Sequence, residues 1–141
     1  IFTSIDPDTG TVNANTSENA YLGVWIWNDE AWAAHWTEAE GWRFVAVDPV
    51  TLSTLGGPVP FEAERIGRFQ EGEGGIWYVT AAGVDHWQQP VKVNRFNPDD
   101  GRIDVSERVP EAGGVDMAVG GGAIWFLNYD GNVLRFDLGH P

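Results

Sequence analysis

A chain of 141 residues is long enough for one domain with its own core, and its lack of cysteine excludes disulfide bonds and thiol catalysis. Its 21 acidic residues against eight basic ones give a formal net charge of −13, which repels phosphate backbones and anionic lipid headgroups, so we expect no nucleic-acid partner. No apolar run approaches the ~20 residues that a membrane helix needs, so we expect no membrane insertion.

Eight tryptophans, 18 glycines and eight prolines favour an all-β fold with many turns and an aromatic interior. The predicted strands are short runs of apolar and aromatic residues that end at Gly, Pro, Asp or Asn. In chain order they cover residues 1–6, 11–16, 24–27, 65–70, 76–80, 91–97, 102–108, 115–119, 123–128 and 132–137. Asp130-Gly131, between the last two strands, suits a tight hairpin turn.

A strand with a central tryptophan recurs three times. Ile-Trp-Phe-Leu at 124–127 has counterparts in Ile-Trp-Tyr-Val at 76–79 and Val-Trp-Ile-Trp at 24–27. This alignment equates Trp25, Trp77 and Trp125, which follow one another at intervals of about 50 residues, and the two later copies come after glycine clusters.

A turn motif recurs in step with this strand. It reads SIDPDTG at 4–10, AVDPVT at 46–51, RFNPDDG at 95–101 and RFDLG at 135–139. Proline ends a strand because it lacks the N–H that a ladder requires, and the side chain of Asp or Asn can bond the turn backbone. We therefore interpret the acidic residues of these turns as structural rather than as a calcium loop.

The two motifs together predict a partial β-propeller of about three four-stranded antiparallel blades, with a β-sandwich as the alternative. We treat the whole chain, 1–141, as a single propeller-like domain with repeat units at about 1–17, 18–61, 62–109 and 110–141. The glycine cluster, the apolar strand with tryptophan and the I-D-P-x-T-G turn resemble the blades of the YVTN and virginiamycin B lyase-like superfamily. That resemblance implies a fold more than an activity.

Two features depart from a complete propeller. The stretch from Gly10 to Val24 leaves room for one strand and little else, so a strand is missing there or residues are absent from the chain. About three blades also leave open strand edges and an exposed aromatic flank. We therefore expect the chain to pair with another copy of itself, or with the missing part of a larger propeller.

Candidate binding residues lie in two segments that we predict to be long loops on one face, residues 28–42 and 81–90. Each holds a His-Trp pair, and aromatic rings beside carboxylate and amide groups suit a sugar, a peptide or a cationic ligand. The predicted binding residues are Trp32, His35, Trp36, Glu38, Trp42, His86, Trp87 and Gln88.

No catalytic set is predicted from these residues. Three histidines do not define a Ser-His-Asp triad, and the glycine-rich 113–122 has no lysine and no following helix, so it is not a phosphate loop. The resemblance to lyase-type propellers implies a divalent metal bound by His and Glu, for which His35, Glu38 and His86 are the candidates. The spacing does not require a metal, so we predict neither metal ligands nor a cofactor.

Three functions remain open from the sequence. The first is a non-catalytic binding or interaction module that presents aromatic loops to a small ligand, a glycan or a protein. The second is a metal-assisted lyase or hydrolase, and the third is an architectural fragment that completes a ring by self-association. An acidic, tryptophan-rich chain that begins with Ile1 also suggests a processed or excised bacterial protein that is secreted or on the cell surface.

Overall fold

A computed structural model describes residues 3–15, 20–81, 91–109, 114–128 and 130–139. Within these ranges the fold is all-β, as the sequence predicts. Every secondary-structure element there is a strand, and successive strands are joined by turns or loops. Among the same residues, no helix has the length and apolar character needed to cross a membrane.

The strands form four antiparallel sheets in which each strand pairs with the next along the chain. The first sheet holds β1 (Thr3–Ile5) and β2 (Val12–Asn15). The second holds β3 (Ala20–Trp27), β4 (Glu30–Thr37), β5 (Gly41–Val47) and β6 (Thr54–Pro60). The third holds β7 (Arg65–Gly72), β8 (Gly75–Ala81), β9 (Val91–Asn97) and β10 (Arg102–Val109). The fourth holds β11 (Gly114–Gly120), β12 (Ala123–Asn128) and β13 (Val133–Asp137).

The chain divides into two compact units, Ile1–Glu62 and Ala63–Pro141. The first unit contains the first and second sheets, and the second unit contains the third and fourth. Each sheet lies within one of the four predicted repeat units.

The predicted phase of the repeat is wrong in the second sheet. Residues 24–27 belong to β3, the first strand of that sheet, whereas Trp77 and Trp125 lie in β8 and β12, the second strands of theirs. The equivalent of Trp77 and Trp125 is therefore Trp32 in β4. This shift also accounts for the short connection after Gly10, because β3 is itself the first strand of the next repeat rather than its second.

The turn between β3 and β4 explains the error. Asn28 and Asp29 both have positive φ, 49° and 66°, which is the conformation of a two-residue type I′ hairpin turn. Glu73-Gly74 and Gly121-Gly122 occupy the same place in the third and fourth sheets, also with positive φ. Because Asn and Asp tolerate this conformation, the second sheet makes the turn without the glycine that marks it elsewhere.

The turns after β1, β5 and β9 confirm the structural interpretation of the turn motif. The Asp6 carboxylate accepts hydrogen bonds from the backbone N–H groups of Asp8 and Thr9, at 2.8 and 3.1 Å. Asp48 accepts two equivalent bonds at 2.8 Å, and the Asn97 side-chain oxygen accepts one from Asp99 at 3.0 Å. These bonds lower the pKa of Asp6 and of Asp48.

Alternation along the second strands gives each of the three longer sheets two distinct faces. We call the face that carries Trp32, Trp77 or Trp125 the tryptophan face, and the other the opposite face. In the second unit, the tryptophan face of the third sheet packs against the opposite face of the fourth. This core contains Trp77, Val79, Ala81, Val91 and Val93 of the third sheet and Met117, Ile124 and Phe126 of the fourth.

Candidate functional site

The predicted site residues from the first segment do not lie on a long loop. Residues 30–37 form β4, between a two-residue turn at 28–29 and a turn at 38–40. His86, Trp87 and Gln88, from the second predicted segment, lie outside the described residues.

Strand geometry separates the aromatic residues of the predicted site from its histidine. Trp32 and Trp36 are four positions apart in β4 and therefore share the tryptophan face, where Trp36 pairs across the strands with Trp42. His35 lies on the opposite face, so these residues do not form a single site. The error follows from the loop prediction, because a strand imposes an alternation that a loop does not.

His35 is buried within the sheet, with 7% of its surface exposed. Its ring stacks on Tyr21 of β3 at 4.6 Å between centroids, and its cross-strand partner in β5 is Arg43. Burial lowers the pKa of His35 below its ordinary value of 6.5, and the positive charge of Arg43 lowers it further against the opposing effect of Glu40. His35 is therefore neutral at pH 7, and its Nε2 has no hydrogen-bond partner among the described residues.

Polar groups surround the turn between β4 and β5. Arg43 forms an ion pair with Glu40, and its Nη2 donates to the Thr37 hydroxyl at 3.5 Å. The same hydroxyl accepts the backbone N–H of Glu40 at 3.2 Å. Glu38 lies exposed in this turn. The end of the hairpin therefore carries two carboxylates and one guanidinium group.

The tryptophan face beside this turn carries an aromatic strip that we define as Trp36, Trp42, Phe61 and Phe44. Trp42 stacks on Phe61 at 6.2 Å between ring centroids, and Phe61 stacks on Phe44 at 4.4 Å. The backbone N–H of Phe61 donates to the carbonyl of Trp42 at 3.0 Å, which holds the segment after β6 against β5. Phe44 and Phe61 are buried, whereas Trp36 is 40% exposed. The strip therefore has a rigid inner end and an accessible outer end.

Sequence reasoning missed Phe44 and Phe61 of the aromatic strip. The alternation of Phe44 with Trp42 in β5 was available as a signal once 41–47 is taken as a strand. Phe61 carries no such signal, because it follows β6 and joins the strip only through tertiary packing.

The described residues do not fit the metal site that the lyase resemblance implies. No three His, Asp or Glu side chains among them come together in a way that could hold a metal ion. His35 is enclosed in the sheet and Glu38 is exposed in the turn, so these two residues are not ligands of a metal centre built within the described ranges.

Comparison with protein-family models gives no match, and no curated protein is similar in sequence to this chain.

Proposed function

We propose that the chain is a non-catalytic binding module, built as a partial β-propeller, that binds a neutral glycan on the aromatic strip of the second sheet. The observation that carries the proposal is the 40% exposure of Trp36 next to Trp42, whose ring is held by the stack on Phe61. An exposed indole on a rigid aromatic base offers a flat apolar surface on which a sugar ring can stack.

The polar groups at the end of the strip support this class of ligand. Glu38 and Glu40, which lie exposed in the turn between β4 and β5, present carboxylate oxygens that accept hydrogen bonds from sugar hydroxyls. The net charge of −13 opposes an anionic ligand. A neutral glycan offers hydroxyl groups to these carboxylates and carries no negative charge for the protein to repel.

The repetition of one sheet design supports the propeller part of the proposal. Trp77 and Trp125 occupy the same strand position, and each pairs across the sheet with an arginine that lies over its ring, Arg95 at 5.6 Å and Arg135 at 5.3 Å. Repetition of one antiparallel sheet design along a chain is typical of propeller blades.

Tryptophan fluorescence titration with oligosaccharides of glucose, mannose, xylose and N-acetylglucosamine tests the proposal. We expect at least one to bind, and Trp36→Ala to weaken that binding about tenfold because it removes the stacking surface. Trp125→Ala is the matched control, since Trp125 is similarly exposed, at 37%, but belongs to the fourth sheet. The proposal would be overturned if none of the four series binds, or if wild type and Trp36→Ala bind equally well.

A further inference from the structure

The contact between the third and fourth sheets shows how two sheets of this chain recognise each other. Trp77, Val79 and Val93 on the tryptophan face of the third sheet are only 5%, 6% and 2% exposed. They pack against the opposite face of the fourth sheet, where Ile124 and Phe126 are buried. One tryptophan face and one opposite face therefore make up the complete contact.

The fourth sheet carries the same tryptophan face without a cover. Trp125, Leu127 and Val133 occupy the strand positions of Trp77, Val79 and Val93, because both sets pair across the second and third strands in the same register. Their exposed fractions are 37%, 40% and 65%. We call Trp125, Leu127 and Val133 the tail surface.

The first sheet has an uncovered apolar face. The side chain of Ser4 in β1 is directed toward the turn between β5 and β6, where its hydroxyl donates to the carbonyl of Pro49. Ile5 and Val12, which are cross-strand partners, point the other way and are 56% and 51% exposed. We call Ile5 and Val12 the head surface.

The position of Ile5 in the repeat matches a residue that makes the internal contact. Ile5 immediately precedes Asp6 in its turn motif, as Phe136 precedes Asp137 at the end of β13. Phe136 lies on the opposite face of the fourth sheet and packs in the core formed with the third sheet. The head surface is therefore equivalent in position to the part of the internal contact that Phe136 makes, at the side of the core formed by Met117, Ile124 and Phe126.

We propose that two copies of this chain associate head to tail, with the head surface of one copy packed on the tail surface of the other. The occupant is a second copy because each chain carries an uncovered tryptophan face and, in the head surface, the counterpart of the Phe136 position that packs in the contact with a tryptophan face within the chain. Two different surfaces meet in this arrangement, so the interface is heterologous, and its repetition builds a closed ring or a longer chain of copies.

Charge affects this association in a predictable direction. Each copy has a formal net charge of −13, so two copies repel each other, whereas the three side chains of the tail surface and the two of the head surface are apolar. At 0.1 M salt, the repulsion between exposed charges that lie more than about 10 Å apart is largely screened. The apolar contact does not depend on this repulsion and remains intact. Association should therefore strengthen as salt increases.

Sedimentation velocity from about 1 to about 200 µM in 0.15 M salt tests the proposal. We expect the mass of wild type to rise with concentration to at least twice that of the monomer. Leu127→Glu, in the tail surface, and Ile5→Glu, in the head surface, should each remain monomeric. Val50→Glu is the matched control because Val50 is 57% exposed in a turn outside both surfaces, and it should associate as wild type does.

Mixing the two variants gives the decisive result. Leu127→Glu retains an intact head surface and Ile5→Glu an intact tail surface, so an equimolar mixture should form a dimer and no larger species. A mixture that stays monomeric, a head variant that still dimerises alone, or a wild type that is monomeric throughout would overturn the proposal. Val133→Glu and Val12→Glu form a second pair if circular dichroism shows that either first variant is unfolded.

The outcome of this experiment does not depend on whether the chain binds a glycan. Trp36 belongs to the second sheet and to neither surface, so Trp36→Ala should associate as wild type does. Leu127→Glu should in turn bind oligosaccharide as wild type does.

Discussion

At the scale of single residues, one tryptophan position has the same local bonds in two sheets but a different exposure in each. The indole N–H of Trp77 donates to the carbonyl of Gly72 at 2.8 Å, and that of Trp125 donates to Gly120 at 3.2 Å. Both carbonyls belong to the last residue of the preceding strand, so each indole closes its own hairpin. Only Trp77 is buried by a neighbouring sheet. The local bonds therefore belong to the hairpin, and the burial belongs to the packing of sheets.

His35 couples the stability of the second sheet to pH. Its pKa in the folded chain lies below 6.5 because the ring is buried, whereas in the unfolded chain it returns to about 6.5. The unfolded state therefore takes up a proton first as pH falls. The stability that depends on neutral His35 is fully present above pH 6.5 and is lost as the pH falls through that value toward the folded pKa.

We predict that His35→Phe, which keeps a flat ring on Tyr21 and cannot be protonated, loses less stability than wild type between about pH 7 and pH 5. Urea unfolding midpoints measured at intervals across this range give the comparison. The chain has three histidines, and the other two contribute equally in both proteins, so the difference isolates His35. Parallel pH profiles would contradict the prediction.

At the scale of elements, the hairpin between the first and second strands is the unit that repeats most regularly. In the second, third and fourth sheets it has a two-residue turn with positive φ, and the register of the two strands shifts once within it. Such a shift marks a bulge, which increases the local twist of the strands. Sequence patterns located the glycine-containing turns but missed Asn28-Asp29, because these residues adopt the same backbone conformation with a different composition.

The bulge in β3 requires glycine at position 23. The register shifts between Leu22 and Val24, and Gly23 has a φ of +82°. A Cβ added there would lie 2.5 Å from Cζ2 of Trp25. Both the backbone conformation and the contact with the indole therefore exclude a side chain.

We predict that Gly23→Ala lowers the free energy of unfolding by about 1–3 kcal/mol, through a strained φ and a displaced Trp25 ring. Gly57→Ala is the matched control, since Gly57 also lies in an edge strand but an added Cβ meets nothing within 4 Å. The control should stay within about 0.5 kcal/mol of wild type. Urea denaturation of the three proteins decides the matter, and equal effects of the two substitutions would contradict it.

At the scale of the whole molecule, charge opposes compactness. A formal net charge of −13 on 141 residues destabilises the folded state through repulsion among carboxylates that the unfolded chain holds farther apart. Local ion pairs act in the other direction. Arg95 binds Asp104 at 2.5 Å, for example, and this bond lowers the pKa of that carboxyl. With eight basic residues against 21 acidic ones, most carboxylates have no basic residue available to pair with.

We predict that raising NaCl from about 10 mM to about 300 mM increases the melting temperature by several degrees, because salt screens the net repulsion. The measurement is best made on Leu127→Glu, so that salt-dependent association does not contribute. A melting temperature that falls with salt would show that attractive ion pairs outweigh the repulsion and would contradict the prediction.

Sequence patterns alone determined the features of this protein that are local along the chain. The all-β class, the order of antiparallel strands in the third and fourth sheets and the bonding of Asp6 and Asp48 to their own turns depend on residues a few positions apart. For the same reason, Asp130-Gly131 was readable as a turn.

Which residues share a surface depends on how the strands pair and how their side chains pack. Trp32, Trp36 and His35 are neighbours in sequence, but the alternation of β4 places His35 on the opposite face and buries it against Tyr21. Phe61 lies well outside that segment and yet supports the aromatic strip. The physical reason is that surfaces form from pairing between strands and from packing of side chains after the strands, and neither is encoded by spacing within one segment.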